Sequence, residues 1–327
     1  MVHRPTQQRT PLFAYCLRNV TEAAALAAYD WVGRGDKNAA DGAAVDAMRG
    51  ELNALPIEGR VVIGEGAKDE APELYCGEAI GLPRNRIKFD IAVDPVEGTS
   101  YTAKGIANAL SVIALAPRGS MFDPGPSFYM EKIAVPKEAK GLIDPQAPTK
   151  EKLRILARAL DKKVSELTVF LLEKPRHEKI TSEIYAAGAR CALYPAGDVM
   201  GGLLAAFPDS GIDMLLGTGG TPEGILTACA LRALGADFMG RFNPQSDAEK
   251  KVIADFGLTT DKWLMLDDLI SSDQVFFCAT GVTDGILVDG VTVEGNFART
   301  QTLMISGPFG ERQVLTSYHL VEPGPNA

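Results

Sequence analysis

Asp90-Ile-Ala-Val-Asp94-Pro-Val-Glu97-Gly-Thr99-Ser100 is the stretch on which the reading of this chain turns. Lys88 to Asp94 has β-branched or small residues at its centre and polar ends, the pattern of a buried strand. Pro95 lacks a backbone N–H and fixes φ, so the strand is expected to stop there. Gly98 frees the next backbone position. Asp94, Glu97 and Thr99 are thereby crowded into one strand-end turn. Carboxylates packed that closely repel each other unless a cation or a shared proton lies between them. Carboxylate and hydroxyl oxygens suit a hard divalent ion, Mg²⁺ or Mn²⁺. A polar turn that caps the next helix would use the same residue types, so the rest of the chain has to decide.

The bulk numbers narrow the classes. At 327 residues the chain can build one large or two ordinary domains. Lys and Arg number 33 against 42 Asp and Glu, a net charge of −9, which speaks against a nucleic-acid partner. No apolar run approaches the roughly 20 residues needed to span a bilayer. Basic residues in Met1–Thr10 are not followed by an apolar core, so no secretory signal and no membrane partner is expected. Cys16, Cys76, Cys191, Cys229 and Cys278 are scattered and never in a C-x-x-C, as in a reduced, cytoplasmic protein.

Along the chain, residues 1–18 read as a loose arm. Asn19-Val-Thr-Glu22 resembles a capping box, followed by a helix through Trp31. A second helix is expected from Asp41, which stands where an N-cap belongs. Arg60-Val-Val-Ile-Gly64-Glu65-Gly66 is a short strand ending in a carboxylate between glycines. Further strands are expected at Ala109–Ala116 and Tyr129–Val135, giving the first part an α+β character. The second part alternates strand and helix: Thr168–Leu172, His177–Ala189, Arg190–Tyr194, a helix from Asp198, Ile212–Leu216, then Pro222–Leu234. That alternation predicts a parallel sheet. A boundary near residue 165 divides the chain into an N-terminal α+β part, 1–165, and a C-terminal α/β part, 166–327. The last strand-like runs, Val275–Thr280 and Ile286–Leu320, are free to pair with either.

Ligands of open parallel sheets bind outside the carboxyl ends of the strands. Lys174-Pro-Arg176-His177 falls there and places two cations together, suited to an anion such as phosphate. Pro195-Ala-Gly197-Asp198 falls there too, as does Gly217-Thr-Gly219-Gly220-Thr-Pro222-Glu223-Gly224, a glycine-rich loop feeding a helix N-terminus. Glu223 in that first turn also has a plain helix-dipole explanation. Acidic residues with divalent ions between them attract a phosphate, and a separate basic pair suits a second anionic group. The combination points to metal-assisted hydrolysis of a bisphosphate.

Asp94-Pro-Val-Glu97-Gly-Thr99 resembles the D-P-[IL]-[DE]-G-T motif of the lithium-sensitive, metal-dependent sugar and inositol phosphatases. More closely, the chain resembles the class II fructose-1,6-bisphosphatases of bacteria. The resemblance rests on Trp31–Gly42, Val61–Gly66, Asp90–Thr99, Tyr129–Ile133, Lys174–His177, Gly219–Gly224 and Cys278–Gly285, in the family's order. It implies a layered αβαβα sandwich, usually a homo-oligomer (dimer or tetramer), acting on a sugar bisphosphate with two or more Mg²⁺ or Mn²⁺ ions per site. It further implies that Asp41 and Glu65 hold one ion and that Asp94, Glu97 and Glu223 hold another. Thr99 would help polarise the attacking water, with Asp69 as acid-base partner and Lys37 as a supporting charge. Glu97, Gly98, Thr99, Tyr129, Lys174, Pro175, Arg176, Ala196, Gly197, Asp198 and Gly220 would contact substrate. Two positions depart from the family's pattern: Ala67, where G-E-G-E is usual, and Ala196, where D-G-D is usual. Each puts a methyl in place of a carboxylate. Sedoheptulose 1,7-bisphosphate is the close alternative substrate and inositol monophosphate a distant one. A non-catalytic phosphosugar-binding protein is the alternative of a different class.

Overall fold

The structure, a computed structural model, describes residues 11–65, 74–82 and 87–321. Its strands are β1 (Glu58–Ile63), β2 (Ala79–Gly81), β3 (Lys88–Glu97), β4 (Leu110–Pro117), β5 (Tyr129–Val135), β6 (Thr168–Leu172) and β7 (Arg190–Tyr194), then β8 (Met214–Gly220), β9 (Asp237–Phe242), β10 (Leu264–Met265), β11 (Phe276–Gly281), β12 (Thr292–Glu294), β13 (Phe297–Ser306) and β14 (Glu311–Leu320). Its α-helices are α1 (Leu12–Tyr29), α2 (Lys37–Ala54), α3 (Thr99–Lys104), α4 (Thr149–Ala159), α5 (Glu178–Ala187), α6 (Asp198–Ala206), α7 (Thr221–Leu234), α8 (Asp247–Asp255) and α9 (Leu266–Leu269).

The strands form an eight-stranded sheet in the order β12-β13-β11-β4-β3-β1-β2, with β14 on the far side of β13, and a six-stranded sheet in the order β10-β9-β5-β8-β6-β7. Side-chain alternation shows how they stack. Val62, Ala92, Val112, Ala114 and Phe277 of the first sheet share one core with Met130, Phe170 and Leu215 of the second, and with Leu203 of α6 and Ile225 and Leu226 of α7. The opposite face of the first sheet, through Val61, Ile91, Ile113 and Cys278, packs on α1 and α2. The opposite face of the second, through Ile133, Val169 and Leu216, packs on Leu153 and Leu156 of α4 and Ile184 of α5. The layers therefore run α-β-α-β-α, as the resemblance implied. Helix α7 lies in the middle layer, and Ile225 through Leu231 are all buried, which is why its sequence is apolar on every side.

Several local expectations are corrected. Helix α1 starts at Leu12, inside the span read as a loose arm, because Ala14 and Leu17 bury and Phe13 packs against Phe89 and Phe276 at 5.3 and 5.1 Å between ring centroids; residues 1–10 of that span lie outside the described residues. Thr21 and Glu22 are then mid-helix residues, with Glu22 accepting a hydrogen bond from Ser317 at 2.6 Å rather than closing a capping box. Strand β3 continues through Pro95 to Glu97 across an irregularity between Asp94 and Glu97 in its pairing with β4. On the β1 side the pairing has already ended at Ala92, so the missing N–H of Pro95 removes no bond there.

The second sheet is mixed. β6 runs parallel to β7 and β8, whereas β5 lies between β8 and β9 and is antiparallel to both. Strand-helix alternation makes β8 and β9 run the same way but does not make them neighbours. The last strands, β11 to β14, pair within the first sheet. Among the described residues no helix is long and apolar enough to cross a membrane, and all five cysteines are free.

Asp90, which opens the decisive stretch, is structural. It is fully buried, within 3.3 Å of the Arg118 guanidinium and 3.5 Å of Arg60. The Gly119 N–H also donates to it, at 2.5 Å. Asp90→Ala leaves the Gly119 N–H without its acceptor and removes the anion that faces both arginines, and is expected to lower stability by about 3 kcal/mol, measured by urea denaturation. A loss under about 0.5 kcal/mol, the level of an ordinary surface change, would contradict this assignment.

Candidate active site

One end of the middle layer opens into a cleft of about 470 Å³. Chain segments converge on it from both sheets. β1 leads to Glu65, and β3 delivers Asp94, Glu97 and, through the turn, Thr99. β6 leads to Lys174 and Arg176, β7 to Ala196 and Asp198, and β8 to Gly220 and Glu223, while the start of α2 brings Lys37 and Asp41. Gly98 takes φ +84°, which lets the chain reverse between β3 and α3. A Cβ there would lie 2.7 Å from the Tyr101 ring.

Asp94, Glu97, Gly98, Thr99, Asp41, Glu65, Lys37, Lys174, Arg176, Ala196, Gly197, Asp198, Gly220 and Glu223 all line this one cleft. Pro175 does not line it, and Tyr129 meets it indirectly, its ring lying under the Arg176 guanidinium at 5.2 Å. Asp69 and Ala67 lie outside the described residues. The capping explanation of Asp41 does not hold. Asp36 is the N-cap of α2, accepting from the Ala39 N–H, and Asp41 stands one turn inside the helix. The glycine-rich segment after Leu216 is not a loop either, since Gly217 to Gly220 continue β8 and pair with β5. Its glycines make room: a Cβ at Gly219 would sit 1.8 Å from Asp198 Oδ2, and one at Gly220 would sit 1.9 Å from Glu223 Oε2.

The carboxylates push each other out of their ordinary range. Burial, then the charges of Glu97, Glu65, Glu223 and Asp41, hold Asp94 well above the usual carboxylate value. Burial with Asp198 and Glu223 raises Glu97 to about 8, against the opposing pull of the Val199 N–H and Lys132. Glu223 is raised by burial and by Asp198, and its Oε2 is buried without a hydrogen-bond partner. Among the described residues no group of three or more His, Cys, Asp or Glu side chains is already drawn together as a metal cluster. The donor set nevertheless fits a hard cation: oxygen ligands only, mutually repelling, one with an unmet buried acceptor. Asp41, Glu65, Asp94, Glu97 and Glu223 are the residues that would hold it.

Three groups escaped the sequence reading. Lys132 on β5 is buried, its Nζ 2.5 Å from Asp198 Oδ2. The signal was present, because Lys132 alternates with Met130 and Ala134, which face the shared core. Tyr101 Oη donates to Ala196 O at 2.7 Å and accepts from Ala196 N at 3.0 Å, which fixes the loop before Asp198. His177, expected as a plain helix-start residue, is buried and joins two strand ends. Its Nε2 accepts from Thr218 N at 2.7 Å, so its Nδ1–H donates to Leu172 O at 2.6 Å. Burial lowers its pKa, in keeping with a neutral ring. Beside it, Arg176 donates through two nitrogens to Thr218 O, which sets that guanidinium at the cleft rim.

Residues 12–319 match the family described as bacterial fructose-1,6-bisphosphatase, glpX-encoded. The chain is 46% identical over 316 residues to fructose-1,6-bisphosphatase 1 class 2 of Escherichia coli strain K12, covering 93% of this chain and 94% of that protein. The same identity and coverage are found with fructose-1,6-bisphosphatase class 2 of Shigella flexneri.

The electrostatics predict an inverted pH dependence of stability for the metal-free protein. Glu97 titrates near 8 when folded, against 4.5 as its ordinary value. Between those values the folded chain holds a proton that the unfolded chain has released, so stability falls as pH rises through that window. Asp94 and Glu223, also raised, act in the same direction. The midpoint of thermal unfolding in the presence of a chelator should drop between pH 5 and pH 8, and excess Mn²⁺ should remove the slope. A midpoint that rises over this window without metal would show that these carboxylates are not destabilised.

Proposed function

The chain belongs to the bacterial fructose-1,6-bisphosphatase family, and from that membership we infer that it hydrolyses the 1-phosphate of fructose 1,6-bisphosphate, yielding fructose 6-phosphate and phosphate in gluconeogenesis. The observation that carries the reading is a single cleft with an acidic wall, Asp41, Glu65, Asp94, Glu97 and Glu223, and a basic rim, Lys174 and Arg176. An acidic wall repels a phosphate by itself, so the metal dependence follows from the charges. We assign the wall to two or more Mg²⁺ or Mn²⁺ ions, which when bound neutralise the phosphoryl oxygens and polarise the phosphorus. The basic rim takes the 6-phosphate, with Arg176 held in place by Thr218 O and stacked on Tyr129.

The reaction adds water to the 1-phosphoryl group and breaks the bond between phosphorus and the sugar oxygen, which then takes up a proton. Thr99, the first residue of α3, presents its hydroxyl at the cleft and orients the water. Lys37, the first residue of α2, supplies positive charge on the same side. Gly98, Gly197 and Gly220 let the substrate approach the backbone, and the Ala196-Gly197-Asp198 turn receives the sugar hydroxyls. We further assign the chain to a homo-oligomer, a dimer or a tetramer. Among the described residues no strand pairs with the outer edge of β14, along which Val314, Tyr318 and Leu320 are exposed. Light scattering that returns only a monomer would remove that assignment.

Phosphate release from fructose 1,6-bisphosphate, sedoheptulose 1,7-bisphosphate and inositol monophosphate, each with Mg²⁺ and with Mn²⁺, tests the function directly. Turnover of fructose 1,6-bisphosphate should be fastest, and Asp94→Asn should reduce kcat at least about a hundredfold, the scale of losing one charge-stabilising group. The absence of turnover with either bisphosphate would overturn the reading. An unchanged rate in Asp94→Asn would remove that residue from the reacting centre.

A further inference from the structure

Asp198 is an acidic group of the cleft that stands next to a buried cation. It is 6% exposed and Lys132 is 1% exposed, and the two are joined at 2.5 Å. The fold sets space aside for this pair. A Cβ at Gly219 would fall 1.8 Å from Asp198 Oδ2 and 3.2 Å from Lys132 Nζ, and a Cβ at Gly224 would fall 3.2 Å from Lys132 Cε. Lys132 reaches the site from β5, the strand inserted between β8 and β9, on the face that carries Met130 and Ala134 into the middle layer. Its charge also acts on Glu97 and Glu223, which Asp198 opposes. Without Lys132, Glu97, Asp198 and Glu223 from β3, α6 and α7 would share one buried pocket, and Asp198 would lose its ion-pair partner.

We propose that Lys132 is a positioning residue that divides the cleft's carboxylates between two tasks: it holds Asp198 as an acceptor for the hydroxyl groups of the sugar and keeps it out of the metal-ligand set. Two physical effects produce the division. The ion pair satisfies Asp198 locally, so the carboxylate has no unmet charge to offer a divalent ion. The buried ammonium also repels any divalent ion that would move from Asp94 and Glu223 toward Asp198. Divalent ions would thereby stay with Asp41, Glu65, Asp94 and Glu223 and away from Asp198. The sugar ring is confined to the side bounded by α6 and β8. This inference rests on the bisphosphatase reading of the cleft and adds the residue that separates its metal half from its sugar half.

The test measures binding of Mn²⁺ alone and of fructose 6-phosphate alone by calorimetry on the full chain. Lys132→Met should bind Mn²⁺ at least tenfold more tightly, or take up one more ion, and bind fructose 6-phosphate at least tenfold more weakly. A merely structural lysine would weaken both or neither, and either of those results overturns the proposal. The double variant K132M/D198N carries no charge at the pair and should return Mn²⁺ binding to within twofold of the unmodified protein. Mn²⁺ binding tenfold weaker in the double variant would make Asp198 a metal ligand and would also overturn the proposal. That comparison decides the matter even if Lys132→Met alone does not fold. Failure of the unmodified protein to bind Mn²⁺ or to release phosphate would count against the bisphosphatase reading itself, which separates the two failures.

Discussion

Repulsion among buried carboxylates is the constraint to which the rest of this structure answers. Asp94, Glu97, Asp198 and Glu223 come from three different strand ends and are brought together in one cleft. A folded chain would ordinarily avoid such a gathering, because each added anion in a low-dielectric pocket raises the cost of keeping the others charged. The protein meets part of that cost internally. Lys132 faces Asp198, the Val199 N–H donates to Glu97 at 3.1 Å, and the Val96 N–H donates to Asp94 at 3.1 Å. What these donors leave unmet is negative charge, such as the unpartnered Glu223 Oε2, that a bound cation would neutralise.

The αβαβα stack is what makes the gathering mechanically possible. Two sheets pack on a shared middle layer of helices, so strand ends from both reach the same opening. Close approach then depends on the absence of side chains at two places. Gly219 and Gly220 let Asp198 and Glu223 come against the backbone of β8 at distances a Cβ would forbid. His177 and Arg176 fasten that same strand end, one to the Thr218 N–H and the other to its carbonyl. The rigidity of the acidic wall and the placement of the basic rim thus share one anchor. A disturbance at Thr218 would move both.

Much of this was legible in the sequence wherever a residue's chemistry and its local spacing agreed. The buried strand leading to Asp94 reads directly from β-branched residues, and the limits expected for β5, which Pro136 closes, and for β6 and β7 are those observed. The failures have a common cause, which is that local rules were asked to settle tertiary questions. Asp41 looked like a cap because it stands where an N-cap aspartate would, yet Asp36 takes that position and Asp41, one turn inside the helix, lines the cleft. Gly217 to Gly220 looked like a flexible loop, although glycine there answers crowding by side chains distant in sequence. Lys132 alternates with Met130 and Ala134 on the face that enters the shared core, but alternation does not name a partner for a buried charge. Only its partner, 66 positions away, explains its burial. The insertion of β5 between β8 and β9 was likewise beyond any local pattern.

The departure at Ala196 shows how such tertiary support alters the meaning of a substitution. A carboxylate is usual there in the family, and its loss reads at first as a weakened substrate loop. Tyr101, however, holds both the carbonyl and the N–H of Ala196, so the path of the backbone into Gly197 and Asp198 does not depend on the side chain at 196. The Ala196 methyl packs against the core between the first sheet and its outer helices. The substitution therefore acts on charge and leaves shape alone. It removes one anion from the loop that carries Asp198, where burial and then the charges of Asp198 and Glu223 already raise Glu97 to about 8. A cleft with one carboxylate fewer demands less compensation from Lys132, and Asp198 keeps its place against Gly219.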